Sequence, residues 1–357
     1  MKLSELEIKY FKELTELIGV SGQENDVAAY LKKEYQKLNC ELIYDNLGSI
    51  FALKKSKKTN AKKVMVVGHM DEVGFMVKQI LPNGLIVPTF LGGFNYNGLL
   101  SQRLVMINNK GEKIFGSIDT IPPHLMKNST GGVSEKDILF DFGFLNSEDA
   151  INNGVEVGCP VVCKGDFQIS YNKECILSKA IDDRYGLVLG LILLNEIKDI
   201  DLPFDLYVGG SVQEEVGCRG AQTSANKIKP DLAIVLDCSP ARDSQGGNDL
   251  GKLGEGVLIR YFDRSMIAFK KLLNFQIECC KEAGVKYQYF DSPGGTDAGI
   301  IHKSLDGIPT LTHCICARSI HTSSSFMRID DYLAAKKSIL VMINKLNNEL
   351  IESFKGK

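Results

Sequence analysis

Three short apolar runs in this chain each lead to residues that can hold a metal ion. Val64-Met65-Val66-Val67 runs into Gly68-His69-Met70-Asp71-Glu72, the run at 204–208 leads to Glu214-Glu215, and the run at 232–236 stops at Asp237. Apolar runs of this length without alternation are the pattern of strands buried on both faces, as in a parallel sheet. Parallel strands need long crossovers, and helical periodicity lies between the runs. The expected fold class is therefore α/β, with a mixed, mostly parallel central sheet flanked by helices. In open sheets of this kind, sites form at the carboxyl ends of the strands, so three distant segments can meet in one crevice.

The rest of the chain fits that frame around one interruption. Ser4 and Glu7 form a capping box for a first helix through Tyr10, Phe11, Leu14 and Ile18. A second helix carries Val27, Tyr30, Leu31 and Tyr35 on one face, and 41–54 alternates like a hairpin turning at 45–48. The lysine-rich stretch 54–63 reads as a solvated loop. From 73 to 174 the texture becomes short β-like runs, including Leu85-Ile86-Val87, 104–107 and Val155-Glu156-Val157, with one short helix near 148–152. This predicts a small β-barrel or sandwich, the barrel preferred, inserted into a larger domain made of 1–72 and 175–357. Beyond it, helices are expected from Ala180 to about 197, near 220–225, at 265–283 and at 330–350. Strands are expected at 286–290 and 308–313, with a glycine-rich loop at 292–299.

Composition closes several routes. A length of 357 residues allows one large domain or two, and a net charge of -2 gives no case for nucleic acid or a membrane surface. No stretch of about 20 apolar residues exists, and the N-terminus lacks the apolar core of a signal peptide. Ten scattered cysteines fit reduced thiols in a cytoplasmic protein.

Mixed imidazole and carboxylate donors fit zinc, cobalt or manganese. Two such ions about 3.5–4 Å apart make a hydrolytic site when one carboxylate bridges them. Each donor also has a plain reading. His69 can be a surface histidine, Asp237 can cap a turn, and Asp182-Asp183 can cap a helix. The loop at 294–299 can be a simple turn. Glu214 and Glu215, if extended, point to opposite sides and so serve different purposes. Five histidines are present; His313 and His321 both follow the last strand-like run, and spacing does not choose between them.

Six motifs carry a resemblance that covers nearly the whole chain. They are Gly68-His69-Met70-Asp71-Glu72-Val73-Gly74; Lys179-Ala180-Ile181-Asp182-Asp183-Arg184; Gln213-Glu214-Glu215-Val216-Gly217-Cys218-Arg219-Gly220-Ala221; Asp237-Cys238-Ser239-Pro240; Gly295-Thr296-Asp297-Ala298; and Arg318-Ser319-Ile320-His321. With them the chain resembles the tetrahedral (TET) aminopeptidases, a family of dinuclear metallopeptidases whose members carry glutamyl, deblocking and sometimes endoglucanase labels. The resemblance implies a zinc-peptidase type of sheet and two divalent ions per subunit, Zn2+ or Co2+ with Mn2+ as a further option. It implies that His69 and Asp237 hold one ion, that Glu215 and His321 hold the other, and that Asp182 bridges them. Glu214 would be the general base, and Asp71 would orient His69. His124 and His302 match no motif. It further implies peptide substrates cleaved at the first residue, and a homo-oligomer of twelve subunits built through the inserted barrel. Two positions depart from the family: Ser319 stands where an aromatic residue is usual, and Ser325 where a glutamate commonly follows the histidine.

Other functions remain open on the sequence. A glycoside hydrolase would use a metal-free carboxylate pair. A non-catalytic assembly protein, or another metal-dependent amidase such as a deacylase or carboxypeptidase, could share the fold.

Overall fold

The apolar runs become the centre of a large mixed sheet. A computed structural model describes residues 2–121, 132–246 and 251–356. Among the described residues, four parallel strands lie side by side in the order Asp205–Ser211, Lys63–His69, Leu232–Ala241 and Thr310–Arg318. Val64, Met65, Val66 and Val67 are fully buried, as expected for a strand covered on both faces. The hairpin Glu41–Tyr44 and Ile50–Lys54 extends one side antiparallel to Asp205–Ser211. Ser325–Arg328, Cys175–Ser178 and Gln168–Ile169 extend the other.

One face is covered by the helix Ile181–Glu196, which is buried almost all round, and by Glu5–Glu16 and Ile329–Lys345. Ser4 and Glu7 do form the capping box of that first helix. The helix Ile181–Glu196 is apolar on every side because it lies between the sheet and the outer helices.

After Glu72 the chain leaves the sheet and builds a closed antiparallel barrel. Its strands run Gly74–Ile80, Ile86–Leu91, Phe140–Asp141, Lys113–Ile118, Arg103–Ile107 and Pro160–Cys163 around the barrel. Phe75 anchors its core, stacked on Phe94 at 4.7 Å and edge-on to Phe140 at 4.9 Å.

Several expected elements move, each for a local reason. Val155-Glu156-Val157 is not a strand, because Gly154 and Gly158 turn the chain at positive φ on both sides. The helix expected from 265 begins only at Lys270. Asp263 Oδ1 accepts the backbone N–H groups of Ser265 and Met266 and holds that stretch as a turn. The final helix stops at Lys345, and Asn347 caps a separate short helix, Asn348–Glu352, through the N–H of Leu350. Val257–Asp263, not expected as a strand, pairs parallel with Tyr287–Ser292 and antiparallel with Thr310–Arg318. No helix among the described residues is long and apolar enough to cross a membrane.

Candidate metal centre

Each parallel strand delivers a donor near its carboxyl end. His69 closes Lys63–His69 and Asp237 lies within Leu232–Ala241. Glu214 and Glu215 come shortly after Asp205–Ser211, and His321 follows Thr310–Arg318 by three residues. The glutamates lie beyond the end of the strand Asp205–Ser211. They sit in a turn in which the Glu214 carbonyl accepts the N–H groups of Gly217 and Cys218. Their side chains still part company: Glu215 faces Asp182 and His321, whereas Glu214 faces Cys218 and Asp297.

Two donor groups share one residue. Donor atoms of His69, Asp182 and Asp237 lie within 4.8 Å of one another, and so do those of Asp182, Glu215 and His321. Asp182 Oδ1 is 3.2 Å from His69 Nε2, and its Oδ2 is 3.4 Å from His321 Nε2. Glu215 Oε2 is also 3.4 Å from His321 Nε2. The Asp182–Asp183 peptide is cis, and the backbone of both residues lies outside the helical region.

Both imidazoles are held in the same way. His69 Nδ1 donates to the Asp71 carbonyl at 3.0 Å, and His321 Nδ1 donates to the Gly93 carbonyl at 2.9 Å. Each ring thereby turns its Nε2 toward the carboxylates, as a ligating histidine does. The Asp71 carboxylate is farther from His69 Nδ1, at 3.5 Å. It accepts instead from the backbone N–H groups of Glu214 and Glu215, at 3.0 and 3.1 Å, and from the Ser21 hydroxyl at 2.6 Å. Asp71 thus fixes the turn that carries both glutamates.

Ser325 does not reach the His321 ring nitrogens; its hydroxyl donates to the Ser319 carbonyl. The support comes from the barrel loop through Gly93. Beside it, Gly92 has a φ of +94°, and a Cβ there would stand 2.6 Å from Val73 Cγ1. Only glycine fits there without displacing the loop.

The donor set is acid-rich, with His69, Asp182 and Asp237 buried and Glu214, Glu215 and His321 partly so. Burial raises Glu214 and Asp237 well above the usual carboxylate range, with neighbouring acids adding to it. Burial likewise lifts Glu215 to about 7, against the pull of His321. His321 itself stands at about 9: burial lowers it, but its hydrogen bonds to Asp182 and the Gly93 carbonyl together with the Glu215 and Asp182 charges outweigh that. Glu215 Oε1 is buried with no hydrogen-bond partner. A cluster of buried acids with an orphaned oxygen and two aimed imidazoles is the chemistry of a divalent-cation site.

The alternative histidines do not join it. His313 is fully buried; Gln276 donates to its Nδ1, and its Nε2 donates to the Ala335 carbonyl. That pairing fixes a neutral ring, and burial lowers its pKa to about 4. The unfolded chain then binds more protons than the folded one between pH 6.5 and 4, so this residue costs stability as pH falls through that window. A loss of about 3 kcal/mol is expected from neutral pH to pH 4. Denaturant melts at both pH values should show a smaller loss for His313→Gln. His302 lies outside both donor groups, and His124 lies outside the described residues.

Three neighbours of the donor groups carried no assigned role in the sequence. Asp183 accepts the N–H of His69 and that of Gly186 and so ties the strand end to the helix. An added Cβ at Gly68 would come within 2.5 Å of the Asp183 carboxylate, so glycine there makes the tie possible. Asp297 accepts from the Ser211 hydroxyl, and Cys218 lies 3.3 Å from Glu214. Their positions inside the quoted motifs were the only signal.

An α/β sheet whose carboxyl edge gathers two imidazole–carboxylate groups around one aspartate defines a hydrolase of the metal-dependent class. The chain belongs to the M42 glutamyl aminopeptidase family, whose pattern matches residues 48–337. It is 40% identical to the glutamyl aminopeptidase of Lactococcus lactis subsp. cremoris over 97% of this chain and 98% of that one. It is similar to a TET aminopeptidase from the marine sediment archaeon Thaumarchaeota archaeon SCGC AB-539-E09, with a TM-score of 0.93, 34% identity and coverage of 98% and 99%. A third likeness is the TET1 peptidase of Pyrococcus horikoshii, described as assembling into a tetrahedron or a large octahedral shell, with a TM-score of 0.85, 25% identity and coverage of 95% and 100%. Membership makes the protein a peptidase with aminopeptidase activity that uses divalent metal ions.

Proposed function

We propose that the protein removes the first residue of peptides at a two-ion centre, with Glu214 as general base. The observation that carries this reading is the position of Asp182, whose two oxygens face the two imidazoles from opposite groups. His69 and Asp237 would hold one ion, Glu215 and His321 the other, and Asp182 both. When bound, the ions supply Lewis acidity that lowers the pKa of a water, polarises the peptide carbonyl and holds a free α-amino group. Glu214 takes the proton from the attacking water and returns it to the leaving amine. Asp71 keeps Glu214 in place through its backbone N–H. The need for a free amino end makes the activity that of an exopeptidase. The mixed nitrogen and oxygen donors suit Zn2+ or Co2+, with Mn2+ also accommodated.

A chelator should abolish hydrolysis of aminoacyl chromogenic substrates, and Zn2+, Co2+ or Mn2+ should restore it. Undiminished turnover in the chelated protein would sink the two-ion reading and favour a metal-free carboxylate pair.

The barrel is proposed as the assembly element, and a tetrahedral dodecamer as the assembly. Leu145, Val157, Phe115 and Ile151 stand out from it with 84%, 70%, 60% and 58% of their surface exposed. Such apolar exposure on one small unit fits a subunit contact. The doublet Leu145→Glu with Val157→Glu should shift the particle seen by light scattering to a smaller mass. An unchanged mass would place the contacts elsewhere.

A further inference from the structure

Beside the two shared groups lies a third set of donors that the proposed reaction does not use as ligands. Donor atoms of Glu214, Cys218 and Asp297 lie within 4.8 Å of one another. The Cys218 thiol donates to Glu214 Oε1 at 3.3 Å. With Zn–S of about 2.3 Å and Zn–O of about 2.0 Å at a tetrahedral angle, sulfur and oxygen stand about 3.5 Å apart. An ion can therefore replace the proton of this hydrogen bond with little movement of either side chain.

A second observation points the same way. Asp297 is 2% exposed, and its Oδ1 is buried without a hydrogen-bond partner, although Oδ2 is engaged by Ser211. Glu214 and Cys218 are only partly buried, so an ion can reach the set from solvent.

We propose that Glu214, Cys218 and Asp297 form a third divalent-cation site, selective for thiophilic ions such as Zn2+, that fills at excess ion and inhibits the enzyme. Binding displaces the thiol proton of Cys218 to solvent and converts it to a thiolate ligand, so occupancy tightens as pH rises. An ion there engages the Glu214 carboxylate and removes it from proton transfer. The inhibition rests on Glu214 being the base; the binding does not. Because loss of a general base costs about 10²–10⁴-fold, saturating the third site should suppress turnover by at least about 10²-fold.

The test is a cobalt titration of the assembled protein, read by absorption. The other two groups offer only nitrogen and oxygen, so a thiolate-to-cobalt charge-transfer band that Cys218→Ser removes reports the third site. The band should grow in after two equivalents are bound and be missing in Cys218→Ser. Measured against its own rate without excess ion, the same variant should need about tenfold or more Zn2+ for inhibition, because a hard hydroxyl replaces a soft thiolate. No band at saturating cobalt, or a band that survives in Cys218→Ser, overturns the site. A band that behaves as expected with zinc inhibition unchanged in Cys218→Ser overturns the inhibitory role. Failure of the two-ion reading would appear separately, as activity that survives chelation, and would leave the band untouched.

Discussion

Replacing Asp182 by asparagine is expected to strip the protein of both ions and end turnover. The residue is 8% exposed and stands between the two imidazoles, at 3.2 and 3.4 Å. An amide is close in shape but can offer only one acceptor oxygen and no charge. Losing an outer hydrogen-bond partner of a ligand already costs 10–100-fold in metal affinity, so losing a shared ligand should cost at least about 10²-fold at each site. Metal content measured after gel filtration should fall from two ions per chain toward none, with the far-ultraviolet circular dichroism unchanged. Retention of a single tightly held ion would mean that Asp182 serves one site only.

Glu214→Gln should give the opposite pattern: full metal content with a loss of about 10²–10⁴-fold in kcat. The Glu214 side chain belongs to neither of the groups that share Asp182. Its backbone is fixed by Asp71 whatever the side chain carries. Glutamine keeps the length and a polar contact to Cys218 but cannot take a proton at neutral pH. Metal content and kcat measured on the same preparation separate the two roles. A variant with normal kcat would move the base elsewhere.

Much of this was legible along the chain because burial on both faces leaves an unambiguous trace. Val64-Met65-Val66-Val67 has no polar side, and a strand without a polar side has to sit inside an α/β sheet. Strand ends then located His69, Asp237 and the Glu214-Glu215 pair within a few residues. What stayed hidden depended on side chains folding back on their own backbone. Asp263 captures two N–H groups and delays the helix to Lys270. Val257–Asp263 was obscured by Arg260, a charge that looks like loop until its partner Asp263 and the Ser239 hydroxyl are seen beside it. His321 over His313 could be drawn only from family resemblance. The physical reason is that the Ala335 and Gly93 carbonyls decide which ring is sealed and which is aimed, and both are distant in sequence. Gly93 itself carried no sequence signal, since a backbone carbonyl acts there in place of the side chain at 325.

Anomalous diffraction at the zinc edge from crystals soaked in stoichiometric Zn2+ tests the central claim most directly. Two peaks about 3.5–4 Å apart are predicted, one against His69 and Asp237, the other against Glu215 and His321, with Asp182 touching both. A single peak, or peaks that leave Asp182 uncoordinated, would contradict it.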